Sequence, residues 1–217
     1  VDSLGYFATR CDKSYAFSAS GKAAVAYRVK AGICLAAGDP IGDIQAWPSA
    51  IDAWVQLTQQ RAWIPAVLAA SETAAEIYHR AGFDALEIGD EAVVEVADFT
   101  LDGRAMRSVR QAVNRARRAG YRVRIEPVRD LDAAWRAEAE HLSQRWRRGG
   151  RERGFSMALS RFAAAVDPDC LIVEARNSVG DLVAVLQLVP WGDDGLSLDL
   201  VRRHPDLENG VMELMIA

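Results

Sequence analysis

Cysteine is scarce in this 217-residue chain, and its three cysteines stand far apart. Cys11, Cys34 and Cys170 form no C-x-x-C pair and share no metal-ligand spacing with a histidine. That excludes a zinc framework and fits a reducing compartment. Cys34 and Cys170 lie in apolar, strand-like runs, where a thiol behaves as a small buried hydrophobe. Histidine is equally sparse. His79, His141 and His204 build no Ser/His/Asp constellation. No apolar run approaches the roughly 20 residues of a membrane span, and no signal peptide is visible. Low-complexity segments and short repeats are also lacking. The chain starts at Val1 and stops at Ala217 inside an apolar run with no terminator, so it reads as a piece of a longer protein.

What is present bounds the rest. Half of the residues are hydrophobic, and 30 acids against 26 bases give a net charge of −4. The length suits one large domain or two small ones, with a real core.

Positive charge is concentrated in one place. Between Gly103 and Gly120 there is no acid, and arginines stand at 104, 107, 110, 115, 117 and 118. At about 100° per residue, Ala105, Met106, Val109, Ala112, Val113, Ala116 and Ala119 fall in one arc and the arginines in the opposite one. Asp102 is a possible N-cap and Gly120 a natural terminator. A solvated face is the ordinary explanation of a charged helix. Solvated faces usually mix signs so that i,i+4 pairs form, and this one does not. Like charges repel unless an anion sits among them. The expectation is therefore a polyanion site, with nucleic acid and anionic lipid headgroups as the two candidates.

In order along the chain, residues 5–9, 14–18, 23–29 and 33–37 read as strands. A loop at 38–43 leads to a helix over 47–60, with Pro48 in its first turn. A strand follows at 65–69, then a helix from Ser71 to Arg80 stopped by Gly82. Residues 83–88 and 92–96 read as strands before the basic helix. The second half repeats the theme. It has a strand at 121–127, a long helix capped by Asp130 or Asp132, a polar loop at 148–154 and a helix over 156–165. Strands follow at 170–175, 182–190 and 195–201, and a last helix opens at Asn209. The spacing thus predicts an α/β (α+β) chain of two similar halves joined by the basic helix: 1–100, 101–120 and 121–217.

Strand alternation places Ser197 and Asp199 on one face, with Arg202 at the strand end. A structural ion pair is the plain explanation of an Asp-x-x-Arg at that position. Asn209 reads as an N-cap, and Glu213 as a first-turn acid favoured by the helix dipole. Phe155-Ser156-Met157 reads equally as a capped helix start and as a substrate-lining turn. The tryptophans sit at helical spacing and read as core or interface. Arg145, Arg147, Arg148, Arg151 and Arg153 form a second basic cluster, interrupted by Glu152, which reads as a solvated loop ahead of an extension of the polyanion track.

Several segments together resemble the C-terminal catalytic region of bacterial phosphatidylglycerol aminoacyltransferases, the lysylphosphatidylglycerol synthetase (MprF) family. They are Asp12-Lys13-Ser14, Gly38-Asp39-Pro40-Ile41-Gly42, Tyr78-x-x-Ala81-Gly82-Phe83, Arg118-Ala119-Gly120-Tyr121, Gly154-Phe155-Ser156-Met157, Ser197-x-Asp199-Leu200-x-Arg202 and Asn209-Gly210-x-x-Glu213. Each is weak alone, but they occur in family order along nearly the whole chain. The resemblance implies two tandem GNAT-type acyltransferase folds with mixed sheets, the second C-terminally incomplete, joined by a positively charged helix. It implies transfer of an aminoacyl group, lysyl or alanyl, from charged tRNA to phosphatidylglycerol. It implies no cofactor and no metal. It also implies a membrane domain N-terminal to this region in the complete protein and work at the cytoplasmic face of the bacterial membrane.

The resemblance assigns Asp199 as general base or orienting group, and Arg202 as the holder of the lipid phosphate or developing charge. Glu213 and Asn209 become candidates for substrate contact, with Phe155 and Ser156. Arg107, Arg110, Arg115 and Arg118 become the polyanion contacts. One departure bears on the donor. Ordinary acetyltransferases carry a Gly-rich [RQ]-x-x-G-x-[GA] turn whose amides hold the CoA pyrophosphate. Neither 38–43 nor 203–210 supplies it. The alternatives are a GNAT-type acyltransferase with another acceptor, and a non-enzymatic anion-binding module.

Overall fold

The computed structural model describes residues 2–147 and 162–217. Its chain divides into two compact units, one built mainly on residues 2–90 and the other mainly on residues 91–217.

The first unit is a mixed sheet with helices. A single helical turn, α1 (Gly5–Ala8), precedes β1 (Ser14–Phe17), β2 (Ala23–Lys30), β3 (Ile33–Ala37) and the short β4 (Ile41–Gly42). Then come α2 (Trp47–Gln60), β5 (Ile64–Leu68) and α3 (Glu72–Arg80). The strand order is β1-β2-β3-β5, with β4 on β2. Strands β1 to β3 run antiparallel, and β5 joins β3 in parallel after the α2 crossover. Lys30 pairs with Ile33 across the two-residue turn Ala31-Gly32, whose φ values are 50° and 81°. Two left-handed residues in a two-residue loop match the twist of a hairpin.

Trp54 of α2 is fully buried and donates to Cys34 Sγ at 3.2 Å. It stacks on Phe83 at 5.7 Å and meets Tyr78 edge-on at 6.2 Å. Burial pushes the Cys34 thiol up, which makes it an inert core group.

The Gly38-Asp39 loop has a local task. Asp39 accepts from the Ser71 amide at 2.8 Å and from Ser71 Oγ at 2.7 Å, while Ser71 Oγ caps α3 at Ala74 N. Tyr78 donates to Gly38 O at 3.1 Å. Gly38 has φ 68°, and a Cβ there would stand 2.8 Å from Ala69 O. The loop therefore ties down the start of α3. Asp12 and Lys13 pair at 2.9 Å, with Lys13 buried, and Arg28 reaches Asp12 at 3.4 Å.

The second unit contains α4 (Arg107–Arg118), β6 (Arg122–Pro127), α5 (Ala133–Trp146), β7 (Leu171–Arg176), β8 (Leu182–Trp191), β9 (Gly195–Arg203) and α6 (Val211–Ile216). The strands form one sheet in the order β6-β7-β8-β9, antiparallel from β6 to β8. On one face, Val113 and Ala116 of α4 and Val211, Leu214 and Met215 of α6 pack on Val173, Ala175, Ala184 and Leu186. The basic helix is therefore part of this unit's core. Gly210 allows the close approach. With φ 105°, it would put a Cβ 2.5 Å from Ala112 O.

Four expectations change. Residues 5–9 are a helical turn that ends in a further turn residue rather than a strand. Residues 83–88 and 92–96 carry no strand, and Leu86 and Val96 are more than four-fifths exposed. Phe83, Leu86, Ile88, Val93, Val94 and Val96 read as strand residues, but a strand forms only against a partner, and none pairs with them among the described residues. The basic helix starts at Arg107, without a side-chain cap. Asp102 does not cap it, because the preceding loop turns at Gly103 and hands its carbonyls to Arg110. The last helix is capped by the left-handed Gly210, one residue after Asn209. The helix expected over 156–165 falls mostly outside the described residues, and 162–165 are turns and coil.

Candidate active site

Alternation assigns the two faces of the second sheet. Val173, Ala175, Ala184 and Leu186 point to α4 and α6, so Glu174, Val185 and Gln187 point the other way. That other face carries α5. Asp132 caps this helix at Trp135 N, and Trp135, Ala139 and Ser143 form its buried stripe. The Trp135 indole donates to Glu174.

Asp199 is 5% exposed, and its Oδ2 accepts from Gln187 Nε2 at 2.8 Å. It therefore lies on the α5 face. Ser197 is buried beside it in the alternation. Arg202 is half-buried, and its Nε donates to Ser143 Oγ of α5 at 3.1 Å. An odd spacing along an ideal strand would put Asp199 and Arg202 on opposite faces. Their partners show both side chains reaching the α5 side.

The same face carries a polar network. Arg176 reaches Glu138 of α5 at 2.9 Å and Glu174 at 3.3 Å. The Glu138 carboxylate is the main cause that holds the Arg176 guanidinium firmly protonated. Gln187 Oε1 accepts from the Ala163 amide at 2.7 Å. Arg136 donates to the carbonyls of Ala163 and Val128. His141 and His204, read from the sequence without a shared role, line one groove of about 690 Å³ with Tyr121, Glu138, Trp146 and Asp206.

The other predicted residues are distributed as follows. Asn209 is exposed just before α6, and Glu213 is half-buried in its first turn. Both belong to the α4–α6 side of the sheet and are not gathered with Asp199. Phe155 and Ser156 lie outside the described residues. Arg107, Arg115 and Arg118 are exposed along α4. Arg118 Nε also bonds its own helix at Asn114 O, 3.2 Å away. Arg110 is half-buried and donates to Leu101 O and Gly103 O, so it serves the loop before the helix. Among the described residues, no carboxylate lies within ion-pair distance of the α4 arginines, and no group of side chains could hold a metal.

Sequence reasoning did not single out Gln187, Glu174, Ser143 or Arg136. A signal existed for two of them. Gln187 interrupts the apolar run of β8 and Glu174 that of β7. A polar residue inside a buried strand needs a partner.

A buried carboxylate fixed by an amide, and on the same face a guanidinium anchored to a hydroxyl, can hold a hydroxyl nucleophile and a phosphate or oxyanion.

The whole chain, residues 1–217, matches the family model described as phosphatidylglycerol lysyltransferase, C-terminal. It is 55% identical over 216 residues to the lysylphosphatidylglycerol biosynthesis bifunctional protein LysX of Rhodococcus opacus, covering 100% of this chain and 19% of that protein. It is 53% identical to the LysX protein of Mycobacterium tuberculosis H37Rv, covering 18% of its length. The chain thus spans about a fifth of the length of the curated relatives it matches. The solved L-PGS from Bacillus licheniformis superposes with a TM-score of 0.84 at 24% identity, over 98% of this chain and 66% of that one. A C-terminal domain from Agrobacterium fabrum gives 0.86 at 24% identity, over 100% and 68%. At that identity the two structures speak to the fold alone.

Proposed function

The chain belongs to the phosphatidylglycerol lysyltransferase C-terminal family, and we propose on that premise that it moves an aminoacyl group, lysyl or alanyl, from charged tRNA to phosphatidylglycerol. The observation that carries the reading is the buried Asp199 with Arg202 reaching the same side of the sheet. In the proposed step, a glycerol hydroxyl of the lipid attacks the ester carbonyl of the aminoacyl-tRNA. Asp199 accepts the hydroxyl proton as the new C–O bond forms. The tetrahedral intermediate then collapses, the bond to the tRNA ribose oxygen breaks, and that oxygen takes the proton. Arg202 holds the lipid phosphate or the oxyanion, with its plane fixed by Ser143.

The two units are read as tandem acyltransferase folds. The Gly38–Gly42 loop, one of the two places where a CoA donor would need a Gly-rich turn, instead presents the Asp39 carboxylate, which accepts from Ser71 at the start of α3. That favours an aminoacyl-tRNA donor over acetyl-CoA. The exposed Arg107, Arg115 and Arg118 of α4 face the donor's phosphates or the lipid headgroups, at the cytoplasmic face of a bacterial membrane. Among the described residues, no helix is long and apolar enough to cross a membrane; association with it comes from the acceptor and from the rest of the protein.

Incubation of the intact protein with labelled lysyl- or alanyl-tRNA and phosphatidylglycerol vesicles yields aminoacylated lipid under this reading. Saturable acetyl-CoA binding with no transfer from any charged tRNA would overturn it.

A further inference from the structure

The reading of Asp199 as the reacting carboxylate leaves a neighbouring buried group without a role. Gln187 is 1% exposed in the interior of an otherwise apolar strand. Its Nε2 donates to Asp199 Oδ2 at 2.8 Å, and its Oε1 accepts from Ala163 N at 2.7 Å. A primary amide can turn over and exchange its donor for its acceptor. Here it cannot, because a backbone N–H only donates. Ala163 fixes Oε1 on its own side, so Nε2 must face Asp199.

Ala163 is held in turn. Its φ is 46°, a left-handed conformation disfavoured for any residue with a Cβ. Such a residue persists where its surroundings over-determine it, and these positions cluster at functional sites. The Ala163 carbonyl accepts from Arg136 of α5, which also donates to Val128 O. A continuous chain of hydrogen bonds therefore runs from α5 through Arg136, Ala163 and Gln187 to Asp199.

We infer that Gln187 is a positioning residue, which aims the Asp199 carboxylate, with its own amide oriented by the Arg136-held Ala163. The inference rests on the catalytic reading of Asp199. An amide donor stabilises a carboxylate and not its protonated form. With the rotamer fixed, the carboxylate meets the incoming hydroxyl in one geometry.

The test uses Gln187→Glu and Gln187→Leu in the intact protein, with Asp199→Asn alongside. Transfer to phosphatidylglycerol is followed against pH and normalised to folded protein. Gln187→Glu keeps the shape and the acceptor for Ala163 N, and once ionised it has no donor for Asp199. Its kcat falls about 10- to 100-fold, the size expected for a lost hydrogen bond to a charge. KM for the lipid stays within about twofold. The acid limb of the rate profile moves up by about one pH unit, because facing carboxylates keep a proton between them. Gln187→Leu shows the same loss in kcat with a smaller displacement of the limb. If the leucine variant does not fold, the isosteric glutamate variant decides. Wild-type kcat and pH profile in the glutamate variant, with Asp199→Asn inactive, would reduce Gln187 to packing and overturn the inference. Wild-type transfer by Asp199→Asn would overturn the catalytic reading itself.

Discussion

Arg202 on β9 donates from Nε to Ser143 Oγ on α5 at 3.1 Å, joining the end of the site strand to the helix that covers it. The bond fixes the guanidinium plane, and Nη1 also donates to Val201 O at 3.2 Å. Arg202→Lys supplies the charge but not the plane, and it cannot bond Ser143 and an anion in one geometry. Transfer by Arg202→Lys falls at least about 10-fold, and Ser143→Ala falls less, with thermal stability nearly unchanged. Equal activity of wild type and Arg202→Lys would make the arginine a generic charge.

The exposed arginines of α4 predict a salt effect. Arg115→Glu with Arg118→Glu weakens binding of charged tRNA or anionic vesicles. The slope of log K against log salt concentration falls by roughly one for each phosphate that the helix no longer neutralises. Measuring both ligands identifies the anion, and an unaltered slope for both returns the helix to a solvated face.

Two backbone sites predict stability changes of opposite sign. Gly210→Ala forces a Cβ to 2.5 Å from Ala112 O at a φ of 105°. Denaturant unfolding should show a loss of about 2 kcal/mol or more. Ala31→Gly relieves a left-handed alanine at φ 50° on the exposed β2–β3 turn. It should gain up to about 1 kcal/mol.

Tyr78 predicts the alkaline limit of the first unit. Burial raises its phenol well above 10, with Asp39 adding to the effect. The unfolded tyrosine ionises near pH 10. The folded chain therefore binds more protons above that pH, and stability present below about pH 10 is lost as pH rises further. Tyr78→Phe costs about 1 kcal/mol at neutral pH, from the lost bond to Gly38 O. It flattens the decline above pH 10 by up to about 1.4 kcal/mol per pH unit. An unchanged alkaline slope would assign that limit to other groups.

The sequence carried most of the fold. Periodicity placed α2, α3 and α5 closely, because their caps and apolar stripes are local. It failed at 83–96, where β-branched residues look like strands but a strand needs a partner that composition does not name. It also failed at the start of α4, where Arg110 bonds the carbonyls of Leu101 and Gly103 and the Asp102 cap does not form. For the site, the motif named Asp199 and Arg202, yet parity predicted opposite faces. Only the partners Gln187 and Ser143 show that both reach one side. Those partners sit 12 and 59 residues away in the chain, a separation that local patterning does not read.

In the proposed reaction Asp199 activates a lipid hydroxyl toward an aminoacyl ester. The most direct measurement is transfer of labelled lysine or alanine from charged tRNA to phosphatidylglycerol vesicles, by the intact protein and by its folded Asp199→Asn variant. With Asp199 as the base, the wild type yields aminoacylated lipid and the variant loses about 100-fold or more, the scale of a general base. Transfer by the variant at the wild-type rate, or none by either protein from any charged tRNA, would contradict it.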